Sequence, residues 1–104
     1  MKKLGLSFIT QKESINMEEV IIKMIEFILG EKFPGVVNDI TVTRDRDMSS
    51  FYTDEQKNYV YNIFIDMDEK YGHLKYDIVI LVENTLKTMG ITNRLAFYWN
   101  HHWN

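Results

Sequence analysis

The sequence predicts an α+β fold in which two helices pack on one face of an antiparallel sheet of three or four strands. Two segments repeat apolar residues at helical spacing, and each is followed by a glycine that can end a helix. At least three other segments alternate apolar and polar residues, as half-buried strands do. The chain has 104 residues, of which 45% are hydrophobic and 26% charged, so it can bury one core.

These segments are expected to form one unit. We predict a single α+β domain over residues 17–100, preceded by an N-terminal segment, residues 1–16, and followed by a C-terminal tail, residues 101–104. The chain has no cysteine, so neither a disulfide framework nor a thiolate metal site can hold it together. Its stability must come from packing alone.

The N-terminal segment allows two interpretations. Alternating apolar residues over 4–10 predict a strand, and the chain order then becomes βαββαβ, the ferredoxin-like arrangement. Gly5 weakens a strand, and Lys2 and Lys3 make the segment basic, so it could instead be an arm that reaches a partner, which leaves the order αββαβ. The side chains that a strand would direct into the core are those of Leu4, Leu6 and Phe8.

The first helix is predicted to begin near Met17 and to end at Gly30. Asn16 can cap its start, and Glu19 stands at the third helical position, from which its side chain can reach back to the cap. The glycine is placed to end the helix in the left-handed conformation. The residues predicted to face the core are Val20, Ile21, Met24, Ile25 and Ile28.

The second helix is predicted to begin at Gly72 or His73 and to end at Met89, with Gly90 in a Schellman ending. Such an ending is usually accompanied by an apolar contact, here between Leu86 and Ile91. The residues predicted to face the core are Leu74, Ile78, Leu81, Val82, Thr85 and Met89.

Three strands are predicted outside the N-terminal segment, over residues 36–43, 58–67 and 93–100. The middle one is rich in β-branched and aromatic residues, and one of its faces is more apolar than the other, as expected for a sheet that helices cover on one side. The residues that share its more apolar face are Tyr59, Tyr61, Ile63, Ile65 and Met67. The other face carries Val60, Asn62, Phe64 and Asp66.

Charge and hydropathy exclude several partners. The net charge is −3, which disfavours nucleic acid because binding to phosphates requires a concentrated basic surface. The apolar runs are far shorter than the roughly 20 residues that span a bilayer, and the basic start lacks the apolar stretch of a signal peptide. A soluble cytoplasmic protein without membrane contact is expected. Abundant Ile, Lys and Asn beside a single alanine, Ala96, follow AT-rich codons, which fits a bacterial or phage genome.

Catalytic and metal-binding signatures are missing from the sequence. It contains no glycine-rich phosphate loop and no G-x-S-x-G elbow, and without cysteine it has no thiol nucleophile. His101 and His102 are adjacent, so on an extended chain they point to opposite sides and cannot easily chelate one ion. We therefore predict no catalytic residue, no cofactor and no metal.

Protein contact is the function that the sequence favours. A long segment without periodicity, residues 44–56, separates two strands, and an aromatic segment closes the chain; arginine and aromatic residues are enriched in interface hot spots. The candidate interaction residues are Arg44, Arg46, Phe51, Tyr52, Tyr98, Trp99 and Trp103. The leading hypothesis is a non-catalytic interaction or assembly protein, with a phage structural or accessory protein as one source that fits. It would bind another protein or copies of itself through the sheet edge, the aromatic tail or the basic arm. A flexible loop and a frayed terminus explain the same residues equally well.

A second hypothesis concerns residues 57–64, which are similar to the RNP1 strand of RNA-recognition motifs, where aromatic side chains stack on bases. The resemblance is partial, because Asn62 replaces an apolar position of that motif. It implies an RNA- or ligand-binding face on the open side of the sheet. The residues that would form this face are Lys57, Tyr59 and Tyr61.

Overall fold

The structure, a computed structural model, describes residues 2–10, 16–45, 59–91 and 97–98. The elements are β1 (Lys2–Thr10), α1 (Met17–Lys32), β2 (Val37–Asp45), β3 (Tyr59–Met67), a 3₁₀ helix (Glu69–Leu74), α2 (Lys75–Thr88) and β4 (Phe97–Tyr98). The predicted α+β class, with two helices and an antiparallel sheet, is confirmed.

The sheet has the strand order β2-β3-β1-β4, and every neighbouring pair is antiparallel. With one helix between β1 and β2 and the other between β3 and β4, this is the ferredoxin-like arrangement. β1 lies inside the sheet and pairs with β3 over its whole length, from Lys2 opposite Met67 to Thr10 opposite Tyr59. The N-terminal segment is therefore a central strand through Thr10.

The basic start of β1 is held against the sheet. Lys2 lies 3.8 Å from the Glu69 carboxylate, and Lys3 lies 3.8 Å from that of Asp66. Exposed ion pairs of this length contribute little to stability, so the strand is held mainly by its backbone pairing and its buried side chains. The interpretation of this segment as a basic arm that reaches a partner is wrong for residues 2–10, because they form a strand inside the sheet with Leu4, Leu6 and Phe8 buried.

One face of the sheet carries the core. On it, Phe8 of β1 stacks on Tyr61 of β3, with ring centroids 5.6 Å apart and planes inclined by 20°. Thr10, the one buried polar residue of the described chain, donates its hydroxyl proton to the carbonyl of Ile91. The β-strand side chains of this core are Leu4, Leu6, Phe8, Ile40, Val42, Tyr61, Ile63, Ile65 and Met67. Helical residues at four-residue spacing complete it: Met17, Ile21, Ile25 and Leu29 from α1, and Ile78, Val82 and Leu86 from α2.

α1 begins at Met17 as predicted, but its ends are made differently. Asn16 has φ 64° and its side chain makes no capping hydrogen bond, so the predicted capping box is absent. Gly30 lies inside the helix, which continues to Lys32, where the N–H of Phe33 donates to the carbonyl of Leu29 over 2.8 Å. Val20 is 43% exposed, because the buried residues of α1 are four positions apart, from Met17 to Leu29, and Val20 lies outside this row.

α2 begins later than predicted and ends as predicted. Residues 69–74 form the 3₁₀ helix. Gly90 has φ 70°. The N–H of Gly90 donates to the carbonyl of Lys87, and the N–H of Ile91 donates to the carbonyl of Leu86, both over 3.0 Å. These two hydrogen bonds form the Schellman pattern. The prediction that Met89 faces the core is wrong, since it is 51% exposed beyond the end of the helix.

The two glycines should respond oppositely to alanine. Gly30→Ala is expected to raise the free energy of unfolding by about 0.5–1 kcal/mol, because alanine favours helix and a Cβ at this position meets nothing within 4 Å. Gly90→Ala is expected to lower it by about 1–2 kcal/mol, because its left-handed backbone strains any side chain. Urea denaturation measures both, and a destabilised Gly30→Ala protein would mean that α1 ends there.

Candidate functional site

β2 forms one border of the sheet. Among the described residues, no strand lies on the side of β2 opposite to β3. The backbone N–H and C=O groups of every second residue of an antiparallel border strand point away from its neighbour. We call the outer side of residues 39–45 the β2 edge. A row of such groups is a template on which a further extended segment can pair.

The side chains along β2 alternate between two environments. Ile40 and Val42 lie on the helix-covered face and are 6% and 7% exposed. Asp39, Thr41 and Thr43 lie on the other face and are exposed. A strand added to the β2 edge would therefore have an apolar row beside it on the helix side and a polar row on the open side.

A hollow of about 200 Å³ lies where the end of α1 meets the start of β2. It is smaller than the roughly 300–1,000 Å³ of small-molecule pockets, and its volume suits a single large side chain. A Cβ built on Gly30 or Gly35 would meet nothing within 4 Å, so both positions border open space. The lining residues are Glu26, Leu29, Gly30, Phe33, Gly35, Val37, Asn38, Asp39 and Ile40.

The register of β2 is irregular beside this hollow. Val37 pairs with Met67 and Asp39 with Asp66, so one extra residue is inserted between them on β2. Bulges of this kind bend a strand and change where its side chains point. The irregularity lies at the end of β2 that lines the hollow, and regular pairing resumes from Asp39 onwards along the β2 edge.

The rim of the hollow is acidic and its floor is apolar. Glu26 and Asp39 are exposed, whereas Leu29 and Ile40 are buried and Phe33 is half-buried. The ion pairs found among the described residues use the carboxylates of Glu19, Asp66, Glu69 and Glu83. No described basic side chain is paired with the carboxylate of Glu26 or of Asp39. Glu26 therefore presents negative charge at the rim of the hollow, and Asp39 presents it on the open face beside the β2 edge.

Arg44 is the one predicted interaction residue whose side chain the structure describes. It belongs to β2, not to a loop, so the predicted loop over residues 44–56 begins too early. Its guanidinium carbon lies 4.4 Å from the centroid of the Tyr59 ring, a cation–π arrangement that holds it at the end of the β2 edge. Tyr98 lies in β4, opposite Ser7. Arg46, Phe51, Tyr52, Trp99 and Trp103 lie outside the described residues.

The residues proposed to bind RNA are not on the open face. Tyr61 is 2% exposed and belongs to the core, and Tyr59 shares its side of β3 and packs against the core beneath Arg44. The prediction of an aromatic open face at these two residues is wrong, because β3 directs every second side chain towards the helices. Lys57 lies outside the described residues.

The open face is instead mainly polar. Ser7 donates its hydroxyl proton to the Asn62 side-chain oxygen over 2.6 Å. The Lys3 ammonium lies 5.9 Å from the centroid of the Phe64 ring and 3.8 Å from Asp66. Among the described residues, this face carries one lysine, Lys3, together with Asp39 and Asp66, so their charges do not form the concentrated positive surface that phosphate binding would require.

Large apolar residues are exposed on the helices. Phe27 of α1 is 69% exposed, and Tyr76 and Ile80 of α2, four residues apart, are 57% and 53% exposed. Isolated exposed apolar side chains are normal on protein surfaces. The β2 edge differs from them because it combines backbone donors and acceptors with an adjoining hollow.

The residues of the hollow were not predicted from the sequence. Glu26 reads as part of the solvated side of a helix, and Asp39 as an ordinary polar position of a strand. The hollow forms only because α1 packs beside β2, which brings residues 26–33 and 37–40 together. The local signal is a pair of glycines, Gly30 near the end of α1 and Gly35 in the turn before β2.

Within the described ranges, no group of three or more histidine, aspartate or glutamate side chains is arranged to hold a metal ion. None of the helices there is both long and apolar enough to cross a membrane. Comparison of the chain with protein-family models, with curated proteins and with solved structures gave no match.

Proposed function

We propose that this chain is a non-catalytic protein-interaction module that binds an extended segment of another protein along the β2 edge. The observation that carries the proposal is the position of the hollow directly beside that edge. Pairing on a sheet edge gives affinity through the backbone, and a pocket for alternate side chains gives specificity. Both elements of this recognition mode are present in residues 26–45.

The apolar row of β2 supports the same mode of binding. Ile40 and Val42 continue the core to the border of the sheet. A paired segment would add its own apolar side chains beside them, and burial of apolar surface would stabilise the complex by roughly 25 cal/mol per Å² before the costs of association. The polar residues Thr41 and Thr43 on the other side can remain solvated.

The proposal includes a place for the protein. We propose that it works in the cytoplasm of a bacterial cell or, if a phage encodes it, in the host cytoplasm or the virion. An amino-acid composition of the kind that AT-rich codons give supports this part. A small accessory or assembly protein acts through its surfaces, which agrees with binding at the β2 edge.

Selection from a displayed library of random peptides tests the proposal. Peptides selected on the wild-type protein are expected to lose about tenfold or more in affinity for Gly30→Trp, whose side chain would fill the hollow without straining a helical backbone. The control is Asn84→Trp, which places the same ring on the exposed surface of α2 and should change nothing. Peptides that bind both variants like the wild type would contradict the proposal.

A further inference from the structure

The chemistry of the hollow selects among the segments that could pair with the β2 edge, and the argument here rests on the function proposed above. A side chain entering the hollow on the helix-covered side meets the exposed carboxylate of Glu26 and the apolar side chains of Leu29, Phe33 and Ile40. Lysine and arginine combine an apolar stem with a cationic end, so they match an apolar floor beneath an acidic rim. An aspartate or glutamate would be repelled.

We infer that the segment bound at the β2 edge is basic and extended, with a lysine or arginine stem in the hollow and its charge beside Glu26. Towards the helices it presents apolar side chains next to Ile40 and Val42. Towards the open face it presents further cationic or polar side chains next to Asp39 and Thr41. The partner is therefore a strand whose open-face row is cationic or polar and whose helix-side row is apolar except for the lysine or arginine that enters the hollow.

A second copy of this chain fits the β2 edge less well. In a symmetric pair of β2 strands the added strand would be β2 itself, whose open-face row contains no basic residue to meet Asp39. The only cation of β2, Arg44, already lies over the Tyr59 ring. Each copy would also bring its own Glu26 to the shared border, and like charges across an interface disfavour association. Charge thus favours a different, basic chain.

Three synthetic peptides of the length of β2, nine residues, test the inference. Each carries valine at the positions that would lie beside Ile40 and Val42, and one test residue type both at the position that would enter the hollow and throughout the open-face row. The test residue is lysine in the first peptide, threonine in the second and glutamate in the third. Fluorescence anisotropy measures their affinities, and amide chemical shifts locate the binding. The lysine peptide is expected to bind at the β2 edge about tenfold or more tightly than the threonine peptide, and the glutamate peptide should not bind. Raising the salt concentration should narrow this difference.

Variants of the two carboxylates identify the groups responsible. Glu26→Gln, at the hollow, and Asp39→Asn, on the open face, are each expected to weaken the lysine peptide about three- to tenfold and to leave the threonine peptide unchanged. Glu31→Gln is the matched control, because it removes an exposed carboxylate from the helix of Glu26 outside the lining of the hollow. If both Glu26→Gln and Asp39→Asn bind the lysine peptide like the wild type, other groups recognise its charge and the inference is overturned.

The remaining outcomes separate this inference from the proposed function. A threonine peptide that binds the β2 edge as tightly as the lysine peptide would overturn the basic partner and leave binding at the edge standing. If none of the three peptides changes the amide chemical shifts of residues 39–45, both the basic partner and the proposed binding at the β2 edge are overturned. Concentration-dependent dimerisation that moves the β2 amides without any peptide would show that a second copy is the occupant, which also overturns the basic partner.

Discussion

Phe8→Ala is expected to lower the free energy of unfolding by about 3–5 kcal/mol, the range for large aromatic residues removed from a core. Phe8 is 1% exposed, and it lies in a strand with β3 on one side and β4 on the other. Its loss removes the stacked partner of Tyr61 and leaves a cavity beneath the helices. Urea denaturation monitored by circular dichroism measures the change.

Phe27→Ala is the matched control, with the same residue types exchanged at a site that is 69% exposed on α1. Its effect should stay within about 0.5 kcal/mol, as for most surface substitutions. If the two variants were equally stable, Phe8 would not be a core residue and the N-terminal segment would not be part of the sheet.

Proline substitution in β2 is expected to separate folding from binding. Thr43 and Arg44 both have exposed side chains. Because they are adjacent in β2, their backbone N–H groups point to opposite sides of the strand. Proline lacks this donor. At the position whose N–H pairs with β3, proline should lower the free energy of unfolding by about 1–3 kcal/mol. At the other position it should leave folding nearly intact and weaken the lysine peptide about tenfold.

Alanine at each of these positions is the control, because it removes the side chain and keeps the donor. Arg44→Ala also loses the contact with Tyr59, and this effect can be subtracted from that of Arg44→Pro. Two folded proline variants that both bind the peptide normally would show that the β2 edge is not the binding surface.

Local patterns predicted much of the fold. Gly90 was recognised because a Schellman ending requires a left-handed residue followed by an apolar one, and Ile91 follows it. Gly30 misled because it follows the last apolar residues of the helical pattern, yet it lies inside α1, which continues to Lys32. Glycine marks a possible end, and the tertiary contacts choose among the candidates.

The position of β1 depended on long-range pairing. Its alternating residues matched a strand, but Gly5 and the two lysines matched an arm as well. The pairing of Gly5 with Phe64, fifty-nine positions later in the chain, could not be deduced from the segment itself. Tyr61 shows the converse, because its local resemblance to an RNA-binding strand is overridden by a register that directs it into the core.

The sequence predicted the kind of surface that forms the candidate site but not its residues. A sheet edge was among the surfaces expected to bind a partner, whereas the hollow depends on the relative position of α1 and β2. Glu26 and Asp39 come from different elements and share no motif, so no pattern in the sequence joins them. Charge complementarity at this place became visible once the two elements lay side by side.

Hydrogen exchange along β2 tests binding at the β2 edge most directly. In the protein alone, amides of residues 39–45 that point away from β3 should exchange rapidly, and their neighbours, which pair with β3, should exchange slowly. Saturation with the lysine peptide is expected to slow the exchange of the rapidly exchanging amides about tenfold or more. If their exchange is unchanged while the bound peptide protects amides of the helices, binding does not occur at the β2 edge and the account is contradicted.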